Sequence, residues 1–193
     1  MARLPRQSVE AEGGDGTAAG AARLGTAHGA GHAHPGDGSI RTRRIAILAA
    51  DGADGASIHR ARTMLRDEGA LSQIISVRLG HLKDDTGGTL AVDGTLENSP
   101  SVLFDGVVVA DGADSVAALL RDGRSREFMR DIYRHGKTML AMGAGAELLV
   151  SCGLPTELPD GEPDPGVVVG ASGTSDASVA DFIVALGRHR HPE

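Results

Sequence analysis

The chain has 193 residues and a mass of 19.7 kDa, room for one ordinary domain of roughly 100–150 residues with chain to spare, and two large domains are excluded. Hydrophobic residues make up 40% and charged residues 23%, but Trp is absent and aromatics total 2%, so the core has to be packed from Val, Ile, Leu and Ala. A net charge of −7, with no run of Lys or Arg interleaved with aromatics, gives no electrostatic reason to bind nucleic acid.

The single cysteine, Cys152, can form neither an internal disulfide nor a Cys/His zinc pattern, which fits a reducing cytoplasm. The start, Met1 to Arg6, leads into polar Gly- and Ala-rich sequence without an apolar h-region, and no later apolar run reaches about 18 residues. Neither a signal peptide nor contact with a membrane is expected.

From Met1 to Gly38 there are nine Gly, and only Leu4, Val9 and Leu24 as larger aliphatics. Such a stretch buries too little surface to offset its ordering entropy, so residues 1–42 are expected to be a disordered tail. His28, His32 and His34 lie in that tail without a nearby carboxylate cluster to preorganise a metal site. The same holds for His189 and His191, and no metal is expected. The folded domain is expected over 43–189, with 190–193 a flexible end.

The first strand is expected at Arg43–Ala50, a short apolar run left through Asp51-Gly52 as a buried parallel strand would be. A helix follows from Ser57 to Gly69, with Ile58, Ala61, Met64 and Leu65 on one stripe. Ser72–Val77 reads as the second strand. Gly88–Val92, Asp93-Gly94 and Thr95-Leu96 read as a small hairpin with a two-residue turn. The next strand is Gly106–Ala110, then a helix around Ser115–Arg121 and another over Ser125–His135 that stops at Gly136. Thr138–Met142 is a strand and Ala144–Ser151 the helix behind it, closed by Gly153 and Pro155. A Pro- and acid-rich loop, Leu154–Pro165, precedes a strand at Val167–Val169 and a last helix from about Ser175 to Leu186.

Short apolar strands alternating with amphipathic helices predict an α/β fold, a flavodoxin-like, doubly wound, mainly parallel sheet with helices on both faces and a small hairpin insertion. Ligands of such sheets sit at the carboxyl ends of the strands. The loops that matter are therefore Asp51–Ser57, Asp111–Ser115 and Gly143–Ala146.

The first of these loops lacks Gly-x-Gly-x-x-Gly spacing, and its acids would repel a phosphate. A phosphoacceptor receiver would use Asp51, Asp54 and Asp111 to hold magnesium, but its lysine should end a strand, whereas Lys137 starts one. Asp54 serves as well for a helix N-cap. The turn Gly143-Ala144-Gly145-Ala146 has the shape of a nucleophile elbow, yet its apex, Gly143, carries no nucleophile. Cys152 is roughly 12–13 Å further along the helix, too far to substitute, and reads as a buried apolar residue. His59, His81 and His135 have no acyl-transfer motif around them; His135, in a last helical turn, suits the dipole there. A ligand pocket without chemistry, lined by Asp51, Asp111 and the Gly143–Ala146 turn, is a further possibility.

Arg44-Ile-Ala-Ile-Leu-Ala-Ala-Asp-Gly-Ala-Asp-Gly-Ala-Ser57 and Asp93-Gly-Thr-Leu-Glu-Asn-Ser-Pro-Ser-Val-Leu-Phe-Asp-Gly-Val-Val-Val109 resemble the C-terminal domain of large-subunit haem catalases. That domain belongs to the ThiJ/PfpI, class I glutamine amidotransferase-like superfamily, and the resemblance runs from about Arg43 to Leu186. It implies the flavodoxin-like layer. Active members of the superfamily carry an elbow cysteine, an acid in the first strand–helix loop and a turn after the third strand that supplies an oxyanion donor. The resemblance places these at Gly143, about Ser57 and Asp111-Gly112. Cysteine and acid are both missing, which implies loss of hydrolase, deglycase or protease chemistry.

The peroxide reaction does not come with the resemblance, because haem and its proximal tyrosinate belong to a separate β-barrel domain. The only tyrosine here is Tyr133, with no haem-pocket sequence around it. No catalytic, cofactor-binding or metal residue is therefore assigned and no cofactor is expected. The expected role is a non-catalytic accessory or assembly module linked to hydrogen peroxide detoxification, with a second copy of the chain or a haem catalase core as partner. The alternatives are a hydrolase or glyoxalase relic, or a split catalase component active only in complex.

Overall fold

The computed structural model describes residues 38–173, 176–188 and 190–191, all within the unit Ala33–Glu193. In chain order the elements are β1 (Arg44–Leu48), α1 (Gly55–Asp67), β2 (Leu71–Ser76), β3 (Gly80–Lys83), β4 (Thr89–Val92), β5 (Gly94–Thr95), β6 (Gly106–Val109), α2 (Ala113–Arg121), α3 (Gly123–Arg134), β7 (Thr138–Met142), α4 (Ala146–Cys152), β8 (Val167–Gly170) and α5 (Asp176–Gly187). Six strands form one parallel sheet in the order β5-β2-β1-β6-β7-β8.

The unbroken apolar runs of the strands follow from cover on both faces. Ile74, Ile47, Val108, Leu140 and Val168 are register neighbours across five strands. That row packs with Ile58, Ala61 and Leu65 of α1 and Val179, Phe182 and Leu186 of α5. One residue along, Ala46, Val107, Met139 and Val167 face the other way and meet Leu119, Phe128, Met129, Ile132, Leu148 and Leu149 from α2, α3 and α4. The two-residue period of a strand thus feeds two cores from one run.

Helix starts are set by caps. The Asp54 carboxylate accepts from the Ser57 N–H at 3.1 Å and that of Asp122 from the Arg124 N–H at 2.9 Å, so α1 and α3 begin two residues earlier than periodicity alone predicts.

A hairpin is present, but with other partners than expected. β4 pairs antiparallel with β3, Leu82 opposite Leu90, rather than with Thr95-Leu96. Gly94 and Thr95 instead join the edge of the main sheet, parallel to β2. The Asp93 carboxylate accepting from Ile74 N–H at 2.7 Å and Ser76 O accepting from Leu96 N–H at 3.0 Å pull this segment into the sheet.

Both expected domain edges also shift. Ile40, assigned to the tail, is only 2% exposed and belongs to the core around α1. At the other end His191, assigned to the flexible end, is 8% exposed, its N–H donating to Gly136 O at 2.8 Å and its ring beside Thr138 Oγ1 and Ala185 O. Residues 1–37 of the expected tail, with His28, His32 and His34, lie outside the described residues, as does His189.

Candidate functional site

The chain leaves β1 toward β2 and returns on its other side to β6, so the topological switch lies between β1 and β6. In open sheets this is where a crevice forms. Here the loops after the two strands lie against one another. Asp54 N–H donates to Asp111 O at 2.9 Å and Ala50 N–H to Ser115 Oγ at 2.8 Å. Gly112, at φ +118°, approaches so closely that a β-carbon on it would be 2.3 Å from Gly52 O, which only glycine permits.

β7 ends at Met142 and turns through Gly143–Gly145 into α4, the expected elbow. Gly143 has φ +49°, and a β-carbon there would lie 2.3 Å from the carboxyl atoms of Asp111. The Asp111 side chain therefore occupies the space beside the apex. Its Oδ1 accepts from Ala144 N–H at 2.8 Å and Gly112 N–H at 2.7 Å. Its Oδ2 accepts from Gly173 N–H at 3.2 Å, and Ser172 adds a side-chain hydrogen bond. Asp111 is 8% exposed. Burial pushes its pKa up, and the hydrogen bonds from Ala144, Gly112, Gly173 and Ser172 outweigh that, leaving it below the ordinary carboxylate value.

Two backbone N–H groups flanking an elbow could polarise a carbonyl or hold an oxyanion. Here both, Ala144 and Gly112, are spent on Asp111. The expected open pocket is corrected accordingly: Asp111 and Gly143 meet, but the carboxylate fills the space between them. Asp51 takes no part, since its carboxylate accepts from Lys83 N–H at 2.8 Å and pairs with Arg78. Ser57, at the acid position, is fixed to the first turn of α1, its hydroxyl donating to Asp54 O at 2.9 Å.

Lys137 stands one residue before β7, at the amino end of the sheet, about 20 Å along the strand from the elbow at ~3.3 Å per residue. Its Nζ donates to Ser101 O at 2.8 Å; burial, then Arg190, push its pKa down against the pull of Asp105 and Asp131. It is too far to balance a phosphorylated Asp111. Cys152 is buried at the end of α4, and burial pushes its thiol pKa up, which suits packing rather than reactivity. His135 caps the end of α3, where its carbonyl accepts from Arg190. Tyr133 borders a cavity of ≈ 10 Å³ with Lys137, Asp164 and His191, room for a water, and on its other side an open groove with Pro155, Glu157, Leu158 and Pro159.

Among the described residues no group of three His, Cys, Asp or Glu side chains is placed to hold a metal ion. Among the same residues no helix is long and apolar enough to cross a membrane.

The sequence pattern brought attention to Asp111 and Gly143 separately but missed their contact, and it missed Ser172 and Gly173 entirely. The signal available was a pairing: a glycine at the apex of the turn after β7, and an aspartate at the head of the turn after β6.

Residues 41–193 match the family described as the C-terminal domain found in long catalases. The chain is 36% identical over 162 residues to the catalase HPII of Mycobacterium avium, covering 80% of this chain and 23% of that protein. It is 36% identical over 137 residues to the catalase HPII of Pseudomonas aeruginosa, covering 71% of this chain and 18% of that protein. The chain thus spans about a fifth of the length of these curated relatives. Among solved structures, a ThiJ/PfpI family protein from Pseudomonas syringae superposes with a TM-score of 0.63 at 19% identity, over 79% of this chain and 71% of that one. A cysteine-to-alanine variant of a DJ-1 superfamily protein from Salmonella typhimurium gives 0.61 at 19%, over 76% and 89%. At such identities these two likenesses speak for the fold alone.

Proposed function

This chain belongs to the family of C-terminal domains found in long catalases, and we propose that it is an accessory module without chemistry of its own, serving the assembly of a haem catalase that removes hydrogen peroxide. The observation that carries this reading is the Asp111 carboxylate seated beside Gly143 and hydrogen-bonded by Ala144 and Gly112. An elbow of this kind offers no nucleophile, and its oxyanion donors already hold an anion. A buried, high-pKa Cys152 supplies no substitute thiol and suits a reducing cytoplasm.

The peroxide link rests on the relatives, which are catalases by name and of which this chain spans about a fifth. In this reading the haem and the reaction belong to the partner, and this domain supplies surface.

A native pull-down of the full chain from its own cells, followed by mass spectrometry and an absorbance scan, tests the partner. Recovery of a haem catalase with a stoichiometric Soret band is the expected result. Recovery of the chain alone, or only with copies of itself and no haem, overturns the catalase assignment.

A further inference from the structure

The cradle around Asp111 has the make-up of a carboxylate-binding site. Its donors come from three separate loops: the Gly112 N–H after β6, the Ala144 N–H after β7, and the Gly173 N–H with the Ser172 side chain after β8. The N–H groups divide between the two oxygens, Ala144 and Gly112 on Oδ1 and Gly173 on Oδ2. Three of the four donors are main-chain groups positioned by the parallel strands, so they persist when a side chain is cut away. The space they enclose is kept free by Gly143, where any β-carbon would collide with the carboxylate.

We propose that this cradle is a carboxylate-binding site whose resident ligand is the chain's own Asp111, and that a free small carboxylate takes its place once that side chain is shortened. The inference goes beyond the accessory role and does not depend on which partner the domain serves. Its chemistry is specific in size. Replacing Asp111 by Ala deletes one carboxyl group, which formate restores. Replacing it by Gly deletes the β-carbon as well, and acetate then matches the missing side chain. Chloride is a single sphere that can meet the donors of one oxygen position but not of both, so it serves as the control.

The test is thermal unfolding of the full chain, unmodified and as Asp111→Ala and Asp111→Gly, in sodium formate, acetate or chloride of equal ionic strength at neutral pH. With about 100 mM anion and a dissociation constant near 10 mM, the folding equilibrium rises about tenfold. That rise is expected for the Ala variant in formate and for the Gly variant in acetate. The unmodified chain should follow the chloride control in both. If the three anions act alike on all three proteins, the proposal fails. Should neither variant fold, carbon-detected NMR on the unmodified chain decides: an Asp111 carboxyl that titrates below the ordinary aspartate range supports a charge held by the cradle. Titration at or above that range overturns it.

Discussion

The Asp111 carboxylate and the α-carbon of Gly143 form a matched pair: a β-carbon at 143 would lie 2.3 Å from the carboxyl atoms of Asp111. A side chain at the elbow and a carboxylate in the cradle are therefore alternatives, and this sequence has taken the second. The choice is fixed by geometry on both sides. Gly143 adopts φ +49°, and Gly112, next to Asp111, brings the β6 loop within contact of Gly52.

Restoring the cysteine should not restore an enzyme. Gly143→Cys places a β-carbon against Asp111 in a left-handed backbone, and a loss of stability on the order of 2 kcal/mol or more is expected, with no thiol-dependent turnover. In an Asp111→Gly background the same substitution should cost less, because the clash is gone. A double-mutant cycle by urea unfolding measures the coupling, and a coupling near zero would contradict the contact.

Acid should weaken the cradle. The folded-state pKa of Asp111 lies below its ordinary value, so in the interval between the two the folded chain binds fewer protons than the unfolded one, and stability rises with pH. The contribution is complete above the unfolded value of about 3.9 and is lost as pH falls through the folded pKa. Asp111→Asn removes the charge and turns a donor toward backbone N–H groups, with an expected cost of about 1–3 kcal/mol at neutral pH. Urea unfolding of both proteins should show that difference shrinking in acid; a pH-independent gap would contradict it.

Cys152 should be inert while the chain is folded. The thiol is 4% exposed, and burial raises its pKa. A disulfide reagent should label it only on unfolding, with a rate that follows denaturant. Fast labelling of the native chain would place the thiol in a different environment.

Much of the fold can be read from the sequence because its signals are local. The runs Ile45–Leu48, Gly106–Val109 and Thr138–Met142 are strands whose both faces are covered, and the stripe Ile58, Ala61, Leu65 marks the buried side of α1. The hairpin is legible but its partner strand is not, because Gly94 is drawn to β2 by Asp93 reaching Ile74, a contact with no local mark. His191 escaped notice for the same reason, its burial depending on Gly136, Thr138 and Ala185. At the site, the absent nucleophile at 143 is visible in a single letter. The filled elbow is not, since Asp111 meets Gly143, and its donors include Gly173, 62 residues away.

The most direct test of the central claim is turnover by the purified full chain: oxygen evolution from hydrogen peroxide, together with ester hydrolysis and glyoxalase-type assays, each repeated with Cys152→Ser. A chain whose elbow is filled by Asp111 should show no activity above buffer in any of them. Peroxide turnover by the chain alone, or a thiol-dependent activity lost on Cys152→Ser, would contradict the account.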